Sequence, residues 1–295
     1  MFHELADDLE FTTGAVESRD STTIGYRQLG SGPGIVVVSG AMISSKSHLG
    51  LARSLSDAFT VYLPDRRGRG LSGPYSPQHC MAREVEDLTA LLDHTGAEMA
   101  FGVSVGACIC LYTASGRPGL RKLALYEPAL VLDRTGRSFS TTRLESELAR
   151  DRVAAALVTG MYEAHLAPTA LKFIPRVVME RLTTMVMRAE ERNAAPDDVT
   201  MRSLAPTLLH DFELINEIAG TTEPLQDITA SVLLLGGGKS DAFFGASLDE
   251  LQEILPHVTR LELPGLDHGG STDRDGKPAD VAHALRSFLT DKPAT

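Results

Sequence analysis

The residues with the clearest capacity for chemistry lie in Gly102-Val103-Ser104-Val105-Gly106, which fits the pattern G-x-S-x-G. The apolar run Met99-Ala100-Phe101 precedes it, and the small-residue segment Ala107-Cys108-Ile109-Cys110-Leu111 follows. That order predicts a strand turning abruptly into a helix, with Ser104 at the apex in a strained backbone conformation. Glycines two residues to either side leave room where a Cβ would strike neighbouring backbone. The serine Oγ then projects from the sheet. The helix behind it aims free N–H groups and the positive end of its dipole at the same point.

A serine hydroxyl is a weak nucleophile and needs a base within hydrogen-bond reach. Of the nine histidines, His268 is the candidate. It lies in Pro264-Gly265-Leu266-Asp267-His268-Gly269-Gly270, just past the last expected strand, where glycines let it reach over the sheet edge. His48, His94, His257 and His283 fall on expected helices or their ends and read as solvated.

The elements that must position these groups follow from periodicity. Residues 9–30 alternate as an antiparallel edge hairpin turning at Ser18-Arg19-Asp20-Ser21. Gly34-Ile35-Val36-Val37-Val38 is a continuous apolar run, as suits a strand covered on both faces. A helix is expected at about 47–57, a strand at 59–63, and a helix at 79–94 with Val85, Leu88 and Leu92 on one face. The strand at 98–103, the helix at 105–115 and the strand at 121–126 continue an alternation typical of a doubly wound, mostly parallel α/β sheet.

That rhythm breaks at Glu127-Pro128. Residues 128–230 read instead as helices at 141–164, 176–192 and 197–219, the second with Val178, Leu182, Met185 and Val186 on one face. The alternation resumes with Ser231-Val232-Leu233-Leu234-Leu235, a helix near 246–255, a strand at 258–263 and a last helix with Val281, Leu285 and Phe288 inward. The expected organisation is therefore a core of residues 1–127 and 231–295 with a helical lid of 128–230 over the C-terminal sheet edge, where open α/β folds bind ligands. Met161, Met179, Met185, Met187 and Met201 lie in the lid. Met185 and Met187, with Met42 from the core, are candidate walls of an apolar substrate pocket; the competing role is packing the lid on the body.

A strand–serine–helix elbow, an acid and then a histidine after the last strand resemble the α/β-hydrolase fold, with triad order Ser, acid, His. The loop Asp65-Arg66-Arg67-Gly68-Arg69-Gly70-Leu71-Ser72 is similar to the D-x-R-G-x-G-x-S loop of these enzymes. Ser39-Gly40-Ala41-Met42 sits where they carry His-Gly after the third strand. The resemblance runs from about residue 20 to 290 and implies a serine esterase or lipase-like hydrolase. It implies an oxyanion hole from the backbone N–H groups of Ala41 and Val105, each stabilising the transition state by about 3 kcal/mol. Ser39 replaces the usual histidine and Val103 the residue that often precedes the serine, but backbone donors survive both changes. The Asp65–Ser72 loop would brace the oxyanion loop through salt bridges and tight turns.

Two positions could supply the acid. The usual arrangement puts it after the strand that follows the lid, in Gly236-Gly237-Gly238-Lys239-Ser240-Asp241, where Ser240 aligns with the acid and Asp241 falls one residue late. Some lipase-like members place it after the strand that follows the elbow helix, where Glu127 stands. Either would orient His268 and stabilise its imidazolium. Glu127 is preferred and Asp241 is the alternative.

Composition bounds the rest. The chain has 295 residues, 43% hydrophobic and 23% charged, which suits one large domain with an insertion or two small ones. A net charge of −11 without a basic block argues against nucleic acid and anionic membrane surfaces as partners. No apolar run reaches the roughly eighteen residues of a membrane span. Residues 1–8 are acidic and lack the features of a signal peptide, and three cysteines make no disulfide framework, so a cytoplasmic protein is expected. Cys108 and Cys110, two apart on a helix, are a poor metal pair and read as packing residues.

The leading expectation is a serine hydrolase, monomeric or a homodimer, that cuts an ester, thioester or lactone of a small, largely apolar molecule. It would work through an acyl-enzyme on Ser104 with no cofactor and no metal. The alternatives are a non-hydrolytic enzyme of the same fold (an acyltransferase, cyclase or lyase) and a non-catalytic ligand-binding module.

Overall fold

The computed structural model describes residues 11–131, 139–166, 173–195, 197–274 and 276–290. The acidic start, residues 1–8, lies outside them. The chain begins with the hairpin β1 (Thr12–Glu17) and β2 (Thr23–Gly30). It continues through β3 (Gly34–Val38), α1 (Leu49–Leu55), β4 (Thr60–Pro64), α2 (Met81–Thr95), β5 (Met99–Val103), α3 (Val105–Ser115) and β6 (Lys122–Tyr126). Five helices follow: α4 (Thr142–Ala149), α5 (Val153–Glu163), α6 (Arg176–Asn193), α7 (Met201–Leu204) and α8 (Thr207–Ile218). Then come β7 (Ser231–Gly237), α9 (Ala242–Ile254), β8 (Val258–Leu263) and α10 (Pro278–Thr290).

Among the described residues, eight strands form one sheet in the order β1-β2-β4-β3-β5-β6-β7-β8. β2 pairs antiparallel with β1 and with β4, and the pairs from β4 to β8 are parallel. Alternation along each inner strand sends residues to opposite faces. Ile35, Val37, Phe101, Val103, Leu233 and Leu235 join the core under α1 and α10. Val36, Val38, Ala100, Leu123, Leu125 and Leu234 join the core under α2, α3 and α8. Both faces are covered, which is why these strands are apolar throughout. Each of the Val, Leu, Ile and Phe side chains among them contributes about 1.5–3 kcal/mol by its burial.

The helices between β6 and β7 differ from expectation in their breaks and facing. The run at 141–164 is divided between α4 and α5 at Asp151, whose φ of 55° is left-handed and ends a helix. The run at 197–219 is divided before Pro206, which has no N–H for a helical ladder, so α8 starts at Thr207. The apolar stripe of α6 is not its buried side: Val178, Leu182, Met185 and Val186 are exposed, while Met179 and Met187 are buried. Facing is set by what the helix docks against. Arg176 on α6 donates to Glu147 on α4 at 2.8 Å and to the Ala155 carbonyl on α5 at 2.9 Å, which turns Met179 and Met187 inward.

Candidate active site

Ser104 stands between β5 and α3 with φ 56° and ψ −123°, and its side chain is largely buried. A Cβ on Gly102 would come within 2.6 Å of the Ala107 Cα, and one on Gly106 within 2.4 Å of the Val38 carbonyl oxygen. Only glycine allows the strand and helix to close this tightly. The conformation is held by the Ser104 N–H, which donates to the Tyr126 carbonyl at 3.0 Å. Ser104 is one of six non-glycine residues with positive φ among the described residues; Met42 and Glu127 are two of the others. Backbone strain thus gathers where the sequence put the chemistry.

Glu127 follows β6 directly and is almost fully buried. One carboxylate oxygen lies 2.7 Å from His268 Nδ1, and the other accepts the Gly237 N–H at 2.6 Å. The Glu127 N–H in turn donates to the Leu235 carbonyl at 3.0 Å. The carboxylate is therefore fixed by β7 on one side and presented to the imidazole on the other. With Nδ1 engaged, Nε2 is the nitrogen left free for chemistry.

Asp241 is elsewhere. It caps α9 by accepting the Phe243 N–H at 3.0 Å, is half-exposed, and lies 3.9 Å from His165 rather than beside His268. Its place is explained by capping: a carboxylate ahead of a helix satisfies a free N–H and meets the positive dipole end.

The loop Ser39–Met42 reaches the serine closely, since a Cβ on Gly40 would lie 3.1 Å from the Ser104 Cβ. Among the described residues neither the Ala41 nor the Val105 N–H donates to another group. Both remain available to a ligand. Met42 packs against the main core and against a small cluster of Val153, Leu157, Met187 and Ala205. Met185 is 66% exposed on the outer side of α6, whereas Met187 is buried. Met187→Ala is therefore expected to lower stability by about 2–4 kcal/mol. Met185→Ala should stay within about 0.5 kcal/mol. Urea unfolding of the two variants measures the contrast, and equal effects would contradict the packing.

Three residues to which the sequence assigns no part in the site lie against it. Phe244 stacks on His268 with ring centres 4.0 Å apart and planes 17° from parallel. The Tyr126 hydroxyl donates to the Asp267 carbonyl at 2.6 Å, tying the histidine loop to β6. His48, expected to be solvated, is fully buried instead. Its Nδ1 lies 3.5 Å from Ser39 Oγ and its Nε2 3.2 Å from Ser271 Oγ, so it bridges the loop after β3 and the loop that carries His268. The pairing of Ser39 with His48 could have been suspected only from the missing histidine at position 39.

Burial lowers the His48 pKa from 6.5 to about 4. Between those values an unfolded chain takes up a proton that the folded chain refuses. Stability from this residue is thus intact above pH 6.5 and falls as pH drops to 4, by about 3 kcal/mol in all. His48→Asn should remove that component from the pH dependence of urea unfolding. An unchanged slope between pH 6.5 and 4 would contradict it.

Among the described residues, no group of three or more His, Cys, Asp or Glu side chains is arranged to hold a metal, and no helix is long and apolar enough to cross a membrane. The profile of the alpha/beta hydrolase family matches residues 35–284. An alpha/beta hydrolase from Sphaerobacter thermophilus is 30% identical, superposes with a TM-score of 0.76, and covers 94% of this chain and 100% of its own. An esterase from a Rhodococcus species, 19% identical, shares the fold with a TM-score of 0.69 over 95% of this chain and 98% of its own. The 2-(acetamidomethylene)succinate hydrolase of Mesorhizobium japonicum is 23% identical over 252 residues, 83% of this chain and 85% of that protein. This chain belongs to the alpha/beta hydrolase family.

Proposed function

We propose that this protein is a serine hydrolase that cleaves an ester, thioester or lactone of a small, largely apolar molecule. The observation that carries the reading is the buried Glu127 carboxylate, 2.7 Å from His268 Nδ1, beside a serine at a strained strand–helix elbow. In the proposed reaction His268 Nε2 takes the proton as Ser104 Oγ attacks the carbonyl carbon. Glu127 stabilises the imidazolium and holds the tautomer that leaves Nε2 free. The Ala41 and Val105 N–H groups receive the oxyanion. Collapse of the tetrahedral intermediate expels the alcohol, which leaves with the proton from His268. Water then attacks the acyl-enzyme by the same route and releases the acid.

The relative from Mesorhizobium is named for a succinate, a dicarboxylate. Here Met42 beside the oxyanion loop and Phe244 over His268 are apolar, which favours an uncharged acyl group. The helices α4 to α8 would act as a lid over this site. A series of p-nitrophenyl esters from acetate to decanoate tests the reading. The expected result is turnover that peaks at short to medium chains, and no turnover of any ester would remove it in favour of acyl transfer, lyase chemistry or binding alone.

A further inference from the structure

Resting on that reading, we propose that Asp211, on α8, is a positioning residue for the oxyanion hole, acting through Arg69. Arg69 Nη2 donates to both carboxylate oxygens of Asp211, at 2.8 and 2.6 Å. Its Nη1 donates to the Gly40 carbonyl at 2.7 Å and to the Ile43 carbonyl at 3.1 Å. Gly40 C=O and Ala41 N–H belong to one planar trans peptide, so they point in opposite directions. Holding the carbonyl at one end therefore aims the N–H at the other. The guanidinium also polarises that peptide, which strengthens its N–H as a donor. The second grip, on Ile43, spans the loop past Met42 and keeps it from swinging.

A separate side chain bears the structural load. Arg66 donates to the Glu84 carboxylate on α2 at 3.0 and 2.7 Å, and to Asp211 at 2.7 Å. Two arginines and two carboxylates thus form a neutral buried quartet, every side chain at most 3% exposed. Burial alone would lower the Arg66 pKa, but Glu84 and Asp211 outweigh it and hold the group well above its ordinary value. Arg66 thus ties α8 to α2 through Asp211 and Glu84. Arg69 adds what seating does not require: a line from α8 to the peptide that carries the oxyanion donor. The helices between β6 and β7 then do more than cover the site, because their docking sets the aim of a catalytic N–H.

The test compares wild type, Arg69→Lys, Asp211→Asn and Ser104→Ala with p-nitrophenyl acetate, with competent molecules counted by the end point of fluorophosphonate labelling. Lysine at 69 keeps the charge next to Asp211 but cannot grip Asp211 and two carbonyls together. The expected result for Arg69→Lys is full labelling at the end point, kcat per labelled site lowered by about 10–100-fold, and KM within about twofold. Losing an oxyanion donor outright costs about 10²–10³-fold, so misaiming one costs less. Asp211→Asn is read the same way where Arg69→Lys yields no labelled protein. An unchanged kcat in a labelled variant, or a loss carried by KM, would overturn the proposal, as would failure of both variants to fold. Ser104→Ala separates the two levels: turnover surviving there ends the serine-hydrolase reading, whereas its loss beside an Arg69→Lys of unchanged kcat ends only this one.

Discussion

Ser104→Ala is expected to lower ester turnover by about 10⁴-fold or more while the substrate still binds. The substitution removes the atom proposed to form the acyl bond and leaves the Ala41 and Val105 amides in place. Those amides and the bound geometry still favour attack by water, so a residual rate of about 10³–10⁴ over the uncatalysed reaction should persist. Steady-state kinetics on protein freed of wild-type contamination measures the loss, and product inhibition measures the binding. Retention of most of the rate would mean that another group is the nucleophile.

The second large effect concerns the acid. Glu127→Gln should lower kcat by about 10⁴-fold, and Asp241→Asn by well under tenfold. The amide at 127 can still accept the Gly237 N–H, which the carboxylate receives at 2.6 Å, so the local fold is preserved. Its NH2 would then donate to His268 Nδ1 and drive the proton onto Nε2, where a general base needs a lone pair. The charge that stabilises the imidazolium is lost as well. Asp241 caps α9 from a half-exposed position, and its field at the site is screened by solvent. Thermal unfolding of both variants confirms that they are folded. If Asp241→Asn were the crippled variant and Glu127→Gln stayed near wild type, the acid would come from the strand after the helical segment.

Much of this was legible because it is local. The elbow glycines, the apolar strand runs and the loop holding His268 lie in short windows whose chemistry has few alternatives. Glu127 is preferred in the sequence because some lipase-like members place the acid after this strand and Asp241 falls one residue late; the structure sets the Glu127 carboxylate 2.7 Å from His268 Nδ1. What could not be read depends on contacts far apart in sequence. Arg69 and Asp211 are 142 residues apart, and nothing near either one names the other. His48 is fully buried, yet a lone histidine at a helix end carries no sign of its burial in the sequence. The stripe on α6 was visible as periodicity, but periodicity cannot say which side meets a neighbour. There the ion pairs of Arg176 decided the facing. Asp241 illustrates the reverse: a carboxylate one residue from a familiar position was better explained by the helix it begins.

The most direct test of the central claim is covalent. Purified protein treated with a fluorophosphonate and weighed intact should gain one adduct per chain, mapped by peptide mass to Ser104, because the reagent reports a serine activated by a base and an oxyanion hole together. Labelling should vanish in Ser104→Ala and slow in Glu127→Gln. No adduct on folded wild-type protein, or an adduct on another residue, would contradict an activated Ser104.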